Sequence, residues 1–105
     1  MLKSKIYASL SLAQKAGKIA SGGYAAEAAV KNGSAVIVFV AEDASDNTKK
    51  KMRNMTSYYQ VPFYCYGTKE ELGHCIGKEY RSMLAVLDAG FAASLEKQLQ
   101  ALKTE

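Results

Sequence analysis

The residues best suited to chemistry lie in Gly17-Lys18-Ile19-Ala20-Ser21-Gly22-Gly23-Tyr24. Gly17 can take the left-handed conformation that ends a helix, and Ser21 is a good cap for the next one. A helix starting at Ser21-Gly22-Gly23 points backbone N–H groups and the positive end of its dipole outward, which favours anions. Two residues without side chains let a phosphate or nucleotide come close. The same residues also make an ordinary turn, so the anion reading needs support from the rest of the chain. Lys15, Lys18 and Lys31 flank the stretch and are candidate phosphate contacts, together with Lys78 or Arg81.

Other reactive types make weaker cases. Cys65 and Cys75 have no metal-ligand spacing and no second pair, and they read as reduced core or near-core thiols. His74 and Cys75 are neighbours, but adjacent helical residues point about 100° apart and form no nucleophile–base pair. Glu42 and Asp43 lack metal-ligand partners, and the glycine pair matches neither the dinucleotide fingerprint nor the phosphate-loop pattern. No catalytic residue, metal or cofactor is expected, and the chain does not read as an enzyme.

The 105 residues suffice for one core, and 49% hydrophobic content with the single Pro62 indicates one folded domain over residues 1–105. No apolar run has the length of a membrane span, and the amino terminus lacks a cleavable apolar segment. A cytoplasmic protein without a membrane partner is expected. The net charge of +4 is unevenly spread: Lys3, Lys5, Lys15, Lys18 and Lys31 face Glu27 alone in the first third, and residues 67 to 105 are nearly balanced. A one-sided basic surface attracts polyanions.

The elements that must position these residues follow from periodicity. Leu2, Ile6, Leu10 and Ala13 recur at helical spacing and predict a helix from about 2 to 16. Residues 18 to 21 form a short strand candidate, and the alanine-rich stretch from Gly22 to Asn32 predicts a slim helix closed at Asn32-Gly33. Residues 35 to 41 are apolar without alternation, the pattern of a strand buried on both faces. A helix capped by Ser45 or Asp46 follows, with Thr48, Met52, Met55 and Tyr59 on one face. Lys49, Lys50, Lys51 and Arg53 take the other faces, either solvated or as auxiliary phosphate contacts. Residues 61 to 66 predict the next strand, and Thr68 with Glu71 a capping box for a helix ending at Gly77. Lys78-Glu79-Tyr80-Arg81 reads as a loop, residues 82 to 87 as a strand, and Asp88 as the cap of a last helix carrying Phe91, Leu95, Leu99 and Leu102. This alternation predicts an α/β fold, a three-layer α/β/α sandwich around a mixed sheet of about four strands.

Several stretches together resemble a known family. Leu12-Ala13-Gln14-Lys15-Ala16-Gly17-Lys18, Ser21-Gly22, Val40-Ala41-Glu42-Asp43-Ala44-Ser45, Val61-Pro62, Gly67-Thr68-Lys69-Glu70-Glu71-Leu72-Gly73 and Ile76-Gly77-Lys78 run in the order seen in the ribosomal kink-turn-binding proteins. The resemblance spans residue 2 to Phe91. It implies the same sandwich, no catalysis, and binding of structured RNA, typically a helix kinked by an internal bulge; ribosomal RNA is the expected partner, and proteins of the ribosome or of the transcription or translation machinery are the alternative ones. It places the RNA on Gly22, Gly23, Tyr24 and Ala25 and on Gly77, Lys78, Glu79, Tyr80 and Arg81, with Lys18 matching a family lysine.

One departure matters. Archaeal and eukaryotic members carry Gly-x-Asn-Glu, whose polar side chains read guanines at the kink, where this chain has Gly22-Gly23-Tyr24-Ala25, and Ala28 stands where a lysine would follow. The backbone part of the site is kept and the base-reading side chains are not, so whether a kink-turn is required stays open. Tyr24 could instead stack on an unpaired base or simply cover the alanines of its own helix, and Tyr80 offers the same two readings. The alternative function is a protein–protein adaptor in which RNA contact is vestigial.

Overall fold

The computed structural model describes residues 2–103. Its elements alternate as the periodicity predicts: α1 (Leu2–Lys15), β1 (Ile19–Ser21), α2 (Gly23–Lys31), β2 (Ile37–Val40), α3 (Asp46–Tyr58), β3 (Phe63–Cys65), α4 (Lys69–Cys75), β4 (Met83–Val86) and α5 (Ala89–Lys103). The four strands form one mixed sheet in the order β1-β4-β2-β3. β4 runs antiparallel to both β1 and β2, while β2 and β3 are parallel. Helix α1 packs on α4 and α5, and α2 packs on α3, so helices cover both faces of the sheet.

Burial explains the order. Every residue of β2 and β4 is buried, as expected of apolar, non-alternating strands at the centre of a sheet. β1 and β3 are the edges and are only half-buried. Ile6, Leu10 and Ala13 of α1 are fully covered, and Leu95 and Leu99 of α5 belong to the same core. Leu2, the first residue of the predicted α1 stripe, has a side chain outside the described set. The alanines of α2 act as their size suggests: Ala26 and Ala29 are buried, which lets the helix lie close on β1 and β4.

The cysteine expectation needs correction. Cys75 is half-buried, but Cys65 is exposed, and both thiols are free. Cys65 ends the edge strand β3, where no further strand covers it.

Helix ends are set locally. In α1, Gly17 N–H donates to Gln14 O and Lys18 N–H to Ala13 O, with Gly17 at φ 73°. Gly33 and Gly77 close α2 and α4 with the same paired bonds, the Schellman arrangement that glycine favours. α3 ends this way too, at Gln60 with φ 58°. At the other ends Ser45 caps α3, Thr68 and Glu71 form a complete capping box on α4, and Asp88 Oδ2 accepts from Phe91 N–H.

Candidate nucleic-acid interface

β1, β2 and β3 end along one edge of the sheet, and β4 begins there. The β1–β4 pairing sets Ser21 opposite Leu84, and Gly22 N–H donates to Met83 O at 3.1 Å. Arg81 N–H donates to Lys69 O, and Ala41 N–H to Ser82 O. The turn into α2 and the loop leaving α4 are thereby sewn side by side. Between them lies an open cleft of about 450 Å³ lined by Ser21, Gly22, Gly23, Tyr24, Ala25, Tyr80, Arg81 and Ser82. Two stretches almost sixty residues apart thus form one surface.

The cap of α2 differs from the sequence expectation. Gly22, not Ser21, is the cap residue, and no side chain caps the helix. Ser21 is held in β1 by its register with Leu84, and its Oγ accepts instead from Arg81 Nε at 3.3 Å. The N–H groups of Gly23, Tyr24 and Ala25 have no acceptor inside the helix, as in any first turn. These three residues line the cleft, and no side chain caps their N–H groups.

The two glycines differ in role. Gly22 sits at φ 89° and ψ 165°, a region essentially reserved for glycine. Gly23 has no such constraint, and an added Cβ would meet only Glu27 Oε2 at 4.0 Å.

Tyr24 is 91% exposed and Tyr80 61% exposed. Tyr24 therefore does not cover its own helix; the buried alanines face the sheet. Arg81 is anchored twice, through Ser21 Oγ and through Nη1 to Tyr80 O at 2.7 Å. Those bonds use two of its five N–H donors and leave the rest for a ligand.

Gly77, at φ 76°, turns the chain out of α4, and Lys78 is exposed just beyond it. Neither lines the cleft. Lys18 stands at the opposite end of β1, where its carbonyl accepts from Leu87 N–H, about 13 Å from Gly22 by strand rise. Lys15 lies in the last turn of α1 and leads into Lys18. Lys31 is in the last turn of α2, about 12 Å from Gly23 by helical rise. The fold thus gathers the backbone, aromatic and arginine groups and leaves three of the lysines at the far edge.

Gly73 was missed as a site residue. A Cβ there would sit 2.6 Å from Glu79 O and 2.8 Å from Tyr80 N, so its bare backbone is what lets the Tyr80 loop lie against α4. Its place in the Lys69-to-Gly73 block was the available signal, but the close approach is not written in local spacing.

Perturbed acid–base groups lie away from the cleft. Burial pushes Tyr66 up to about 12, helped by Glu71 and Glu42, and raises Tyr7 and Tyr64 as well. Burial also pushes the Cys75 thiol up to about 11, the reverse of what thiolate catalysis needs. Among the described residues, no cluster of three or more His, Cys, Asp or Glu could hold a metal ion, and no helix is long and apolar enough to cross a membrane.

Comparison with known proteins agrees with this architecture. The model of the ribosomal protein L7Ae/L30e/S12e/Gadd45 family matches residues 4–96. The RNA-binding protein YlxQ of Enterococcus faecium is 40% identical over 91 residues, 87% of each chain. The RNA-binding protein YlxQ of Bacillus subtilis is 42% identical over 86 residues, covering 82% of this chain and 86% of that protein. A solved Bacillus halodurans protein of unknown function superposes with a TM-score of 0.88 at 34% identity, covering 91% of this chain and 97% of that one. By the span of the family match and by these identities, the chain belongs to the ribosomal protein L7Ae/L30e/S12e/Gadd45 family.

Proposed function

We propose that this chain is a non-enzymatic, cytoplasmic, single-domain protein that binds structured RNA through the cleft between the α2 start and the Tyr80 loop. The observation that carries the reading is the meeting of an uncapped helix start, two exposed tyrosines and an anchored arginine in one open cleft. The helix-start N–H groups and the free edge of Arg81 suit phosphate oxygens, and the tyrosine rings suit unpaired bases. The RNA-binding description of the YlxQ relatives supports the same reading. Ribosomal RNA with a kinked helix is the proposed target. Because Tyr24 and Ala25 replace the polar pair that reads guanine, kink recognition here rests on backbone contacts and stacking. Lys18, Lys15 and Lys31 add phosphate contacts at the far edge, within the span of one RNA helix.

The test is binding to a kinked RNA, to the same RNA with its bulge paired, and to an unrelated duplex, across a salt series. Three or four neutralised phosphates give a slope of log K against log salt of about −2 to −4. Preference for the kinked form is the expected result. Equal, salt-sensitive binding to all three would make the protein a general RNA binder. Absence of binding at low salt would favour the adaptor reading, for which the missing Asn-Glu pair is the specific observation. Lys18→Glu is expected to weaken RNA binding several-fold without unfolding the protein, and an unchanged Kd in the folded variant would remove that lysine from the interface.

A further inference from the structure

We infer that the outer face of α3 is a second RNA-binding surface, which holds an unpaired strand on the Tyr58 ring and on the cations of Lys50 and Arg53. From Asn47 to Lys69 the chain has no acidic residue, and Lys49, Lys50, Lys51 and Arg53 fall on one helix. Met52 and Thr56 are buried on its inner side, which turns Lys50, Arg53, Asn54, Ser57 and Tyr58 to solvent. Their spacing of three, four, seven and eight residues lays them in a single stripe.

The stripe is organised. Tyr58 is 80% exposed, and Tyr59 meets it edge-on with ring centroids 4.9 Å apart and planes at 80°, which steadies the ring while leaving a face open. The Arg53 guanidinium lies 5.6 Å from the centroid of Phe63, a cation–π contact that sets its position and leaves its N–H edge available. Among the described residues the one ion pair joins Lys51 to Glu27; Asp46 precedes Lys50 by one helical turn, but neither Lys50 nor Arg53 is paired with a carboxylate.

An open ring beside two unneutralised cations matches a single strand, whose bases stack while its phosphates sit near positive charge. An acidic peptide would use the cations and leave the ring without a partner. The polarity of the helix agrees with this arrangement. Lys50 and Arg53 lie nearer the start of α3 than Tyr58 does and take phosphates, while Tyr58, at the carbonyl end that repels anions, takes a base.

α3 starts at the sheet edge that holds the cleft and runs about 20 Å from it. The whole molecule measures 31 × 28 × 26 Å, so a tail of about eight nucleotides leaving an RNA seated in the cleft can reach Tyr58. The second surface goes beyond the cleft reading and relies on it only for the RNA used in the test.

The probes are a blunt kinked duplex and the same duplex carrying about eight unpaired uridines at either 3′ end, measured by fluorescence anisotropy. The tail is expected to tighten binding about tenfold, the effect of roughly one stacked base. The double variant Tyr58→Ala/Lys50→Glu, verified as folded by circular dichroism, is expected to lose that gain and to bind the blunt duplex within about twofold of the wild type. Tyr24→Ala, in the cleft, should weaken both RNAs equally. Blunt binding without a tail gain, or a tail gain that survives in the double variant, overturns the α3 surface and leaves the cleft reading intact. Failure of the wild type to bind either RNA overturns both.

Discussion

Three helices begin along the same edge of the sheet, and they begin differently. α3 is sealed by Ser45, whose Oγ accepts from Thr48 N–H at 3.1 Å. α4 is sealed more completely: Thr68 and Glu71 cap each other's backbone at 3.1 Å, and Asp43 Oδ1 accepts from Lys69 N–H at 2.9 Å. α2 has no side-chain cap at all. The capped starts satisfy donors that would otherwise compete for water, and each such cap contributes about 1 kcal/mol. The uncapped start gives up that stabilisation and leaves its donors free for an outside acceptor. Within one architecture, the same local feature is closed by side chains in two places and left open in the third.

The largest expected effect comes from closing the gap between α4 and the Tyr80 loop. Gly73→Ala puts a methyl group 2.6 to 2.8 Å from the Glu79 and Tyr80 backbone. Backbone cannot yield as a flexible side chain can, so a loss of about 2 kcal/mol is expected in denaturant titration, together with weaker RNA binding as the loop is displaced. Retained stability and affinity would mean that the loop tolerates the shift and that Gly73 does not position it.

Next is the glycine pair. Gly22→Ala meets no atom within 4 Å, so its cost is purely conformational, about 1 to 3 kcal/mol for leaving the glycine region. Gly23→Ala should be neutral or stabilising by about 0.5 kcal/mol, as for other helical positions. Equal stabilities for the two variants would erase the distinction drawn between them.

The sealed starts make smaller contributions. Thr68→Ala is expected to lower stability by about 1 kcal/mol while leaving RNA affinity unchanged. A drop in affinity measured on the folded variant would show that the two helix starts are coupled.

Behind the α4 start, the Tyr66 hydroxyl is buried without a hydrogen-bond partner, and Tyr66→Phe is expected to stabilise by up to about 1 kcal/mol. The pH dependence has a definite sign. The folded state holds the Tyr66 proton up to about pH 12, above the ordinary value of 10.0, so the unfolded chain loses its proton first. The contribution of this group is fully present below pH 10 and is lost as pH rises to about 12. Tyr66→Phe should therefore show a shallower alkaline decline in melting temperature, and an identical decline would assign it to Tyr7 and Tyr64.

Much of the architecture was legible in residue types. Leucine and isoleucine at helical spacing marked α1, a non-alternating run rich in β-branched residues marked β2, a short apolar run marked β4, and Thr68 with Glu71 marked the α4 start. Each of these signals acts within a few residues, so it survives without tertiary information. The misreadings have long-range causes. Ser21 was a reasonable cap by type, but strand pairing keeps it extended and turns its hydroxyl to Arg81, 60 positions away. Cys65 was expected in or near the core, but β3 is an edge strand, and which strand is an edge depends on sheet order. The exposure of Tyr24 followed from α2 facing the sheet through its alanines, a packing choice that its own sequence leaves open.

By itself the sequence determined the nine elements, the glycines that end three of the helices, and the candidate residues on either side of the cleft. The tertiary structure alone decided that those two sides meet. The order β1-β4-β2-β3 sets the first strand beside the last and antiparallel to it, which brings the α2 turn against the Tyr80 loop and leaves Lys18 at the other end. Hydrophobic periodicity is a short-range signal that tells a strand which face to bury; which strand becomes its neighbour is settled by packing across the whole sheet.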